Sequence, residues 1–190
     1  HYEVVKGFLN LRLKDAYWIG VFDAEVNNPL FGALPPTGKK VMVEYCGPNT
    51  NKPLHLGHLR NIFIGHSMAS ILKAAGHEVV KVNIYNDRGV HICKSMLAYQ
   101  KYGNHETPES SGEKGDHLVG EYYVRFEQEL RKQVSDLISQ GLTEESAKKQ
   151  APLNKEISEM LLKWEQGDTE VRNLWQTLNQ WVYQGFEETY

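Results

Sequence analysis

Two histidines three residues apart, His55 and His58, lie in Pro48-Asn49-Thr50-Asn51-Lys52-Pro53-Leu54-His55-Leu56-Gly57-His58, a segment that holds much of the chain's unusual chemistry. At the start of a helix such a pair projects to one side of the first turn, beside backbone N–H groups that have no intrahelical partner. That arrangement suits an anion. Free donors and the positive end of the dipole draw phosphate, and two imidazoles add directional donors that tighten as negative charge builds during phosphoryl-group chemistry. Gly57, lacking Cβ, lets a flat base or ribose approach the helix backbone, while Leu54 and Leu56 are expected to point into the core. Two duller readings compete. Zinc needs three or four ligands, and no convincing Cys-x-x-Cys or His-Glu partner is present, so no metal site is expected. A lone histidine would be read as a satisfied core residue, but the surrounding turn and helix weigh against that for the pair.

The elements that must position these residues follow from periodicity. Val41, Val43 and Tyr45 alternate with Met42 and Glu44, which predicts a strand ending at Gly47-Pro48. Leu56, Leu59, Ile62, Phe63, Met68, Ile71, Leu72 and Ala75 then recur at helical steps, with Pro53 suited to a first turn and Gly76 to the C′ position. This predicts a long, largely buried helix. Val79-Val80, Val82 and Ile84 form a second strand closing at Asn86-Asp87-Arg88-Gly89. Strand, helix, strand over residues 41–85 implies a parallel pair with a right-handed crossover. Ligands in such sheets sit outside the carboxyl ends of the strands, here at 46–55 and 86–91.

The remainder is simpler. Residues Tyr2 to Phe22 read as a small, mostly β opening, and Asn27 to Lys40, rich in Asn, Pro and Gly, as a linker with a boundary near residue 38. Gly103 to Asp116 reads as an exposed, mobile connection. Beyond it Leu118 to Leu137, Ile157 to Trp164 and Val171 to Val182, the last behind a cap at Asp168, step by three or four as helices. Tyr122, Tyr123, Trp175 and Trp181 fall at helical spacing and read as core, not as RNA-stacking platforms. Cys46 reads as a small packing residue. Asp87 and His91 are better placed to meet a ligand, without an assigned role.

Composition narrows the classes. With Lys+Arg at 21 and Asp+Glu at 24 in 190 residues, there is no cationic excess to announce nucleic acid by bulk charge. Two cysteines cannot build a disulfide framework, so a reducing cytoplasm is the simpler compartment. No apolar run approaches the roughly 20 residues of a membrane span, and no membrane partner is expected. The chain lacks an initiating Met and stops at Phe186-Glu187-Glu188-Thr189-Tyr190 without a closing signal, which suggests a segment of something longer.

The stretch Val43 to Asn61, with a carboxylate, a small-residue-Pro-Asn turn, Lys52, His-x-Gly-His, Leu59-Arg60 and Ile64-Gly65, resembles the first signature region of class I aminoacyl-tRNA synthetases, and specifically of the arginine family. Gly76-His77-Glu78-Val79-Val80-Lys81-Val82-Asn83 and Asp87-Arg88-Gly89 resemble that family's second strand and following loop. Gly7-Phe8-Leu9-Asn10-Leu11 is similar to the last strand of its N-terminal tRNA-contacting domain.

The resemblance implies an α/β, Rossmann-like parallel sheet. Residues 1–37 would end the tRNA-contacting domain, 38–102 would be the first half of the nucleotide-binding catalytic domain, and 103–190 would be a helical connective insertion. It implies arginine, ATP and tRNA(Arg) as partners, Mg2+ accompanying ATP, and a cytoplasmic monomer. Arginine and ATP would give arginyl-adenylate and pyrophosphate, and the tRNA would then take the arginyl group. By the same resemblance Asn49, with Gly47 beside it, would hold the α-amino end of arginine, and Glu44 the guanidinium, a pairing that a planar fork of donors and a carboxylate also favour physically. His55, Gly57 and His58 would bind ATP, with His55 also near the arginine carboxylate. Lys52, a cation ahead of the phosphate-binding turn, would help neutralise departing pyrophosphate. The catalytic set is therefore His55, His58 and Lys52. There are departures. No Lys-Met-Ser-Lys-Ser stretch occurs, Lys94-Ser95-Met96 having the wrong order, and Cys46-Gly47 and Arg88 replace a common serine and aromatic. Half an active site is implied, and the segment alone is not expected to charge tRNA. Alternatives are a small-molecule nucleotidyltransferase sharing His-x-Gly-His, or a non-catalytic synthetase-like module binding RNA or protein.

Overall fold

The computed structural model describes all 190 residues and contains four strands and eight helices. The chain separates into two compact units, residues 1–43 with 67–80, and residues 44–66 with 81–190.

In the first unit, β1 (Tyr2–Val5) and β2 (Phe8–Leu11) pair antiparallel in the register Val5↔Phe8 and Tyr2↔Leu11. The two-residue turn between them places both Lys6 and Gly7 at positive φ, the backbone that suits a tight hairpin to the twist of its strands. The expected mostly β opening is corrected by α1 (Asp15–Glu25). Trp18-Ile19 read as strand by residue type, but Asp15, Ala16 and the unbroken run to Glu25 sustain a helix, which buries none of its residues. The linker after it is stitched down. Leu34 N–H donates to the Ala74 carbonyl at 2.7 Å, Thr37 N–H to the Gly76 carbonyl at 2.8 Å, and Thr37 Oγ1 lies 2.7 Å from His77 Nδ1.

The central motif is β3 (Lys40–Glu44), α2 (Leu56–Ala74) and β4 (Glu78–Val82). The two strands are neighbours in one sheet, and a parallel bridge joins Asn49 to Asn86 beyond their ends. Glu78 N–H donates to the Lys39 carbonyl and Tyr45 N–H to the Val82 carbonyl. Helix α2 ends as Gly76 predicts: at φ +83 its N–H reaches Lys73 and that of His77 reaches Leu72, so two orphan carbonyls are satisfied in a Schellman turn. Pro53, however, precedes the helix instead of opening it. Nor is α2 largely buried. Leu56 is 82% exposed, Ile71 63% and Phe63 62%, which also corrects the expectation that Leu56 enters the core. Burial depends on what covers a face, and β3 and β4 alone cover little. The closely packed positions are small: a Cβ on Gly65 would overlap the Tyr45 side chain, and Ala69 is 1% exposed.

The rest of the second unit is helical: α3 (Val90–Tyr102), α4 (Pro108–Ser111), α5 (Gly115–Ser139), α6 (Glu144–Gln150), α7 (Pro152–Glu165) and α8 (Thr169–Glu187). Its core interleaves Ile92, Met96 and Leu97 of α3 with Val119 and Phe126 of α5, Ile157 and Met160 of α7, and Leu178, Val182 and Phe186 of α8. Tyr122, Trp175 and Trp181 pack against this core. Helix α3, unpredicted from the sequence, is thus part of the same core as the helices after residue 103. The segment from Gly103 to Asp116 is not the loose connection its composition suggested. Thr107 and Ser110 cap α4 reciprocally, and Asp116 is fully buried at the start of α5. Asp168 caps α8 by accepting the Val171 N–H at 3.0 Å. No helix is long and apolar enough to cross a membrane.

Candidate active site

His55 and His58 stand at the mouth of α2 with ring centroids 4.0 Å apart and planes tilted 41°. His55 is exposed and His58 half-buried. The rings do more than flank the helix end. His55 Nδ1 accepts the Gly57 N–H at 3.1 Å, and His58 Nδ1 accepts the His55 N–H at 3.1 Å. His55 is therefore the N-cap and His58 the third helical residue, and together they form a variant of the capping box built from imidazoles, in which the N-cap ring takes the N–H of the second helical residue and the third residue's ring takes the N-cap N–H. The expectation of wholly unpartnered N–H groups is corrected accordingly: two are met by the rings that were to assist them.

A nitrogen that accepts a backbone N–H carries no proton, so each neutral ring holds its proton on Nε2. Those two Nε2–H groups are the donors left for a ligand. Partial burial, the neighbouring His55 and then Lys52 all push the His58 pKa below its ordinary value, which keeps this ring a neutral acceptor. Gly57 has a use the sequence did not disclose. A Cβ there would lie 2.9 Å from His55 Cε1 and 3.0 Å from Nδ1, so a side chain would contest the place the capping ring occupies.

The turn before the helix is held by side chains from elsewhere. Cys46 (φ +79) and Gly47 (φ +57) are consecutive left-handed residues at the carboxyl end of β3. Asn61 of α2 donates to the Cys46 carbonyl at 3.2 Å, and the Gly47 N–H donates to Asn83 Oδ1 at 3.0 Å. Asn86 donates from Nδ2 to Asn49 Oδ1 at 2.8 Å, while its backbone bonds to Pro48 and Thr50. The Asn49 side chain is thus fixed through its amide oxygen. Glu44, the last residue of β3, is exposed. Thr50 and Asn51 are buried, and Pro53 lies against Gly120 of α5, where a Cβ would come within 2.7 Å of Pro53 Cδ. Lys52 lines an open groove of about 760 Å³ with Tyr102, His117, Tyr123 and Arg125 among its walls.

Asn61, Asn83 and Asn86 were not singled out from the sequence. The available signal is that amides clustered at strand ends and turns tend to hold backbone. The second loop is equally tied down. Asp87 accepts the Tyr183 hydroxyl at 2.8 Å, and its carbonyl accepts Trp175 Nε1–H at 2.6 Å. Burial, reinforced by that carboxylate, pushes the Tyr183 pKa up. Arg88 pairs with Glu165 at 2.8 Å and lies over Trp164, and His91 Nδ1 is 3.1 Å from the Tyr123 hydroxyl. Asp87, Arg88 and His91 therefore fasten the loop to α8, α7 and α5.

No group of three or more His, Cys, Asp or Glu side chains converges in a metal-holding arrangement. Magnesium prefers oxygen ligands and commonly keeps waters and substrate phosphates, so these residues do not fit a protein-held Mg2+.

A parallel strand–helix–strand unit with paired histidines at the helix mouth and a helical body following it has the layout of a class I aminoacyl-tRNA synthetase catalytic domain. The model of "tRNA synthetases class I (R), catalytic domain" matches residues 23–190, and the chain belongs to that family. It is 57% identical over 189 residues to an arginine–tRNA ligase of Amoebophilus asiaticus and 53% identical over 191 residues to one of Bacteroides thetaiotaomicron, covering 100% of this chain and 32% of each relative. The chain thus spans about a third of the length of these curated relatives. Among solved structures, Thermus thermophilus arginyl-tRNA synthetase superposes with a TM-score of 0.61 at 30% identity, over 95% of this chain and 26% of that one. An arginyl-tRNA synthetase of Plasmodium falciparum, at 18% identity and TM-score 0.54, shares the fold.

Proposed function

We propose that this chain carries the ATP- and arginine-binding first half of the active site of an arginine–tRNA ligase acting in protein biosynthesis. The observation that carries this reading is the histidine capping box, which turns two neutral Nε2–H donors away from the helix they cap. Phosphate oxygens of ATP accept from them and from the mouth of the helix dipole. As the arginine carboxylate attacks the α-phosphorus and pyrophosphate departs, charge on the leaving oxygens strengthens those bonds, and Lys52 neutralises part of it. Fixed donors need no reorganisation at that moment. Gly57 keeps the His55 ring in place. Mg2+ would accompany ATP as the counter-ion of its phosphates, without a ligand set from this chain. The terminal ribose hydroxyl of tRNA(Arg) then takes the arginyl group and AMP leaves.

Glu44 faces the guanidinium, whose planar fork matches a carboxylate. Asn49 Oδ1, fixed by the Asn86 amide, keeps a second lone pair to accept from the α-amino end, with Gly47 leaving room beside it. By the resemblance the chain divides as 1–37, the end of a tRNA-contacting domain and linker, 38–102, half of the nucleotide-binding domain, and 103–190, the helical insertion, with α3 at the end of the second part packed into the core of the third. The enzyme works in the cytoplasm as a monomer.

The test is ATP–pyrophosphate exchange by the full-length enzyme containing this chain. Exchange should depend on arginine, fall sharply in His58→Ala, and lose arginine dependence first in Glu44→Gln. Exchange supported equally by another amino acid, or binding of neither arginine nor ATP, would overturn the proposal and leave a non-catalytic module as the better account.

A further inference from the structure

Helix α8 touches both loops at the carboxyl ends of the strands. Trp175 and Tyr183 hold the second loop through Asp87. Just past the end of α8, the Tyr190 hydroxyl lies 3.2 Å from Cys46 Sγ in the first loop. Cys46 is 7% exposed and adopts φ +79, a conformation that an L-residue keeps only where its surroundings over-determine it. Three contacts do so here. Asn61 holds its carbonyl, Asn83 holds the next N–H, and Tyr190 holds its side chain. Amides can restrain the peptide groups, but Tyr190 is the partner of the thiol. The phenol is itself set by the end of α8. Phe186 of that helix is fully buried, with Tyr85 stacked against both Phe186 and Tyr183 at 5.8 and 5.2 Å. Thr189 is gripped by Lys114 at 2.5 Å, and Lys114 also pairs with the buried Asp116 at 3.3 Å.

The left-handed pair Cys46–Gly47 lies between Glu44 and Asn49. Any relaxation of Cys46 toward ordinary backbone angles rotates the chain between those two side chains. We propose that Tyr190 is a positioning residue for arginine: through Cys46 it fixes the turn that sets Glu44 and Asn49 relative to one another. This rests on the function proposed above. In that role the helical body after residue 103 reaches the amino-acid site, although no residue of it need touch the substrate.

The test pairs substrate kinetics of the full-length enzyme containing this chain with thiol chemistry. Tyr190→Phe should raise KM for arginine about fivefold, the scale of one hydrogen bond, with kcat and KM for ATP little changed. Cys46→Ser, which keeps a hydroxyl facing the phenol, should remain close to wild type. In a Cys46→Gly background, where glycine accepts the left-handed backbone, Tyr190→Phe should add nothing. Alkylation of Cys46 by iodoacetamide should quicken in Tyr190→Phe, while the deeply buried Cys93 stays unreactive. Equal rises in both KM values, or the same Tyr190→Phe effect with and without the Cys46 side chain, would overturn the proposal. So would unchanged Cys46 alkylation. Should the wild-type enzyme show no arginine-dependent exchange, the functional reading fails, substrate positioning fails with it, and the alkylation rates still report whether the Tyr190–Cys46 contact holds the turn.

Discussion

Separating what each histidine does for the helix from what it does for a ligand is possible because the two ring nitrogens have different tasks. His55→Asn puts an amide oxygen close to where Nδ1 sits, so the cap on Gly57 survives and the Nε2–H donor is lost. His55→Gln reaches further, retaining a donor near the Nε2 position while abandoning the cap. An N-cap bond contributes about 1 kcal/mol, so the Gln variant should lose about that much stability and the Asn variant less than about 0.5 kcal/mol. Conversely, a hydrogen bond to a charged group contributes about 1.5–3 kcal/mol, so ATP affinity should fall about tenfold or more in the Asn variant and less in the Gln variant. Acid should act through the His58 ring, whose Nδ1 accepts the His55 N–H. A protonated imidazole cannot accept an N–H, and its charge faces the positive end of the dipole at a further cost of about 0.3–1 kcal/mol. Because the folded pKa of His58 lies below the ordinary 6.5, its contribution is complete above that value and is lost as pH falls through the lower folded value. Imidazole nitrogen NMR at pH 7.5 should show Nε2–H tautomers with slowed amide exchange at His55 and Gly57, and the His55 protection should disappear in acid after correction for intrinsic rates. A proton on either Nδ1 at pH 7.5, or His58 titrating above 6.5, would refute the capping geometry.

Gly57→Ala should displace the His55 ring, and the Gly57 amide should exchange faster while the rest of α2 is unchanged. Gly65→Ala places a Cβ on top of the Tyr45 ring root; overpacking of this kind costs about 2 kcal/mol, read as a melting temperature lower by roughly 4–8 °C for a chain of this size. Cys93, whose thiol burial pushes up to about 11, should resist iodoacetamide at pH 8 in the folded chain and react at an ordinary rate in urea. Stoichiometric labelling of Cys93 without unfolding would contradict its placement.

What could be read from the sequence was local chemistry. Gly76 closes α2 in a Schellman turn and Asp168 caps α8, because these signals depend on a few adjacent residues. The strand–helix–strand order and the histidine pair at a helix start were legible for the same reason. Helix α3 was not, since the turn signal in Asn86-Asp87-Arg88-Gly89 drew attention to a loop, and its apolar face spans only Ile92, Cys93, Met96 and Leu97 before the polar end. Helix α1 was obscured by Trp18 and Ile19, whose types favour strands. The exposure of α2 could not be inferred at all: periodicity says which residues would share a face, and only neighbours decide whether that face is covered. The Nδ1 caps were equally hidden, because ring orientation follows from rotamer and backbone together.

Stability and chemistry are joined in this site by geometry that neither requirement alone would produce. Serine or aspartate at residue 55 would cap the helix at least as well as histidine. A lysine there would attract phosphate, but it has no acceptor and would leave the Gly57 N–H unmet. Histidine alone among these carries an acceptor and a donor on opposite edges of one rigid ring, so the bond that orders the helix also aims the donor. That rigidity matters more where the ring is exposed, as His55 is, because no packing would otherwise hold its direction. The same economy governs the preceding turn, where Asn86 spends its side-chain amide on Asn49 and its backbone on Pro48 and Thr50. Orientation in the candidate site therefore comes from hydrogen bonds made at the ends of β3, β4 and α2, and substitutions that remove those bonds should alter substrate geometry more than they alter the fold.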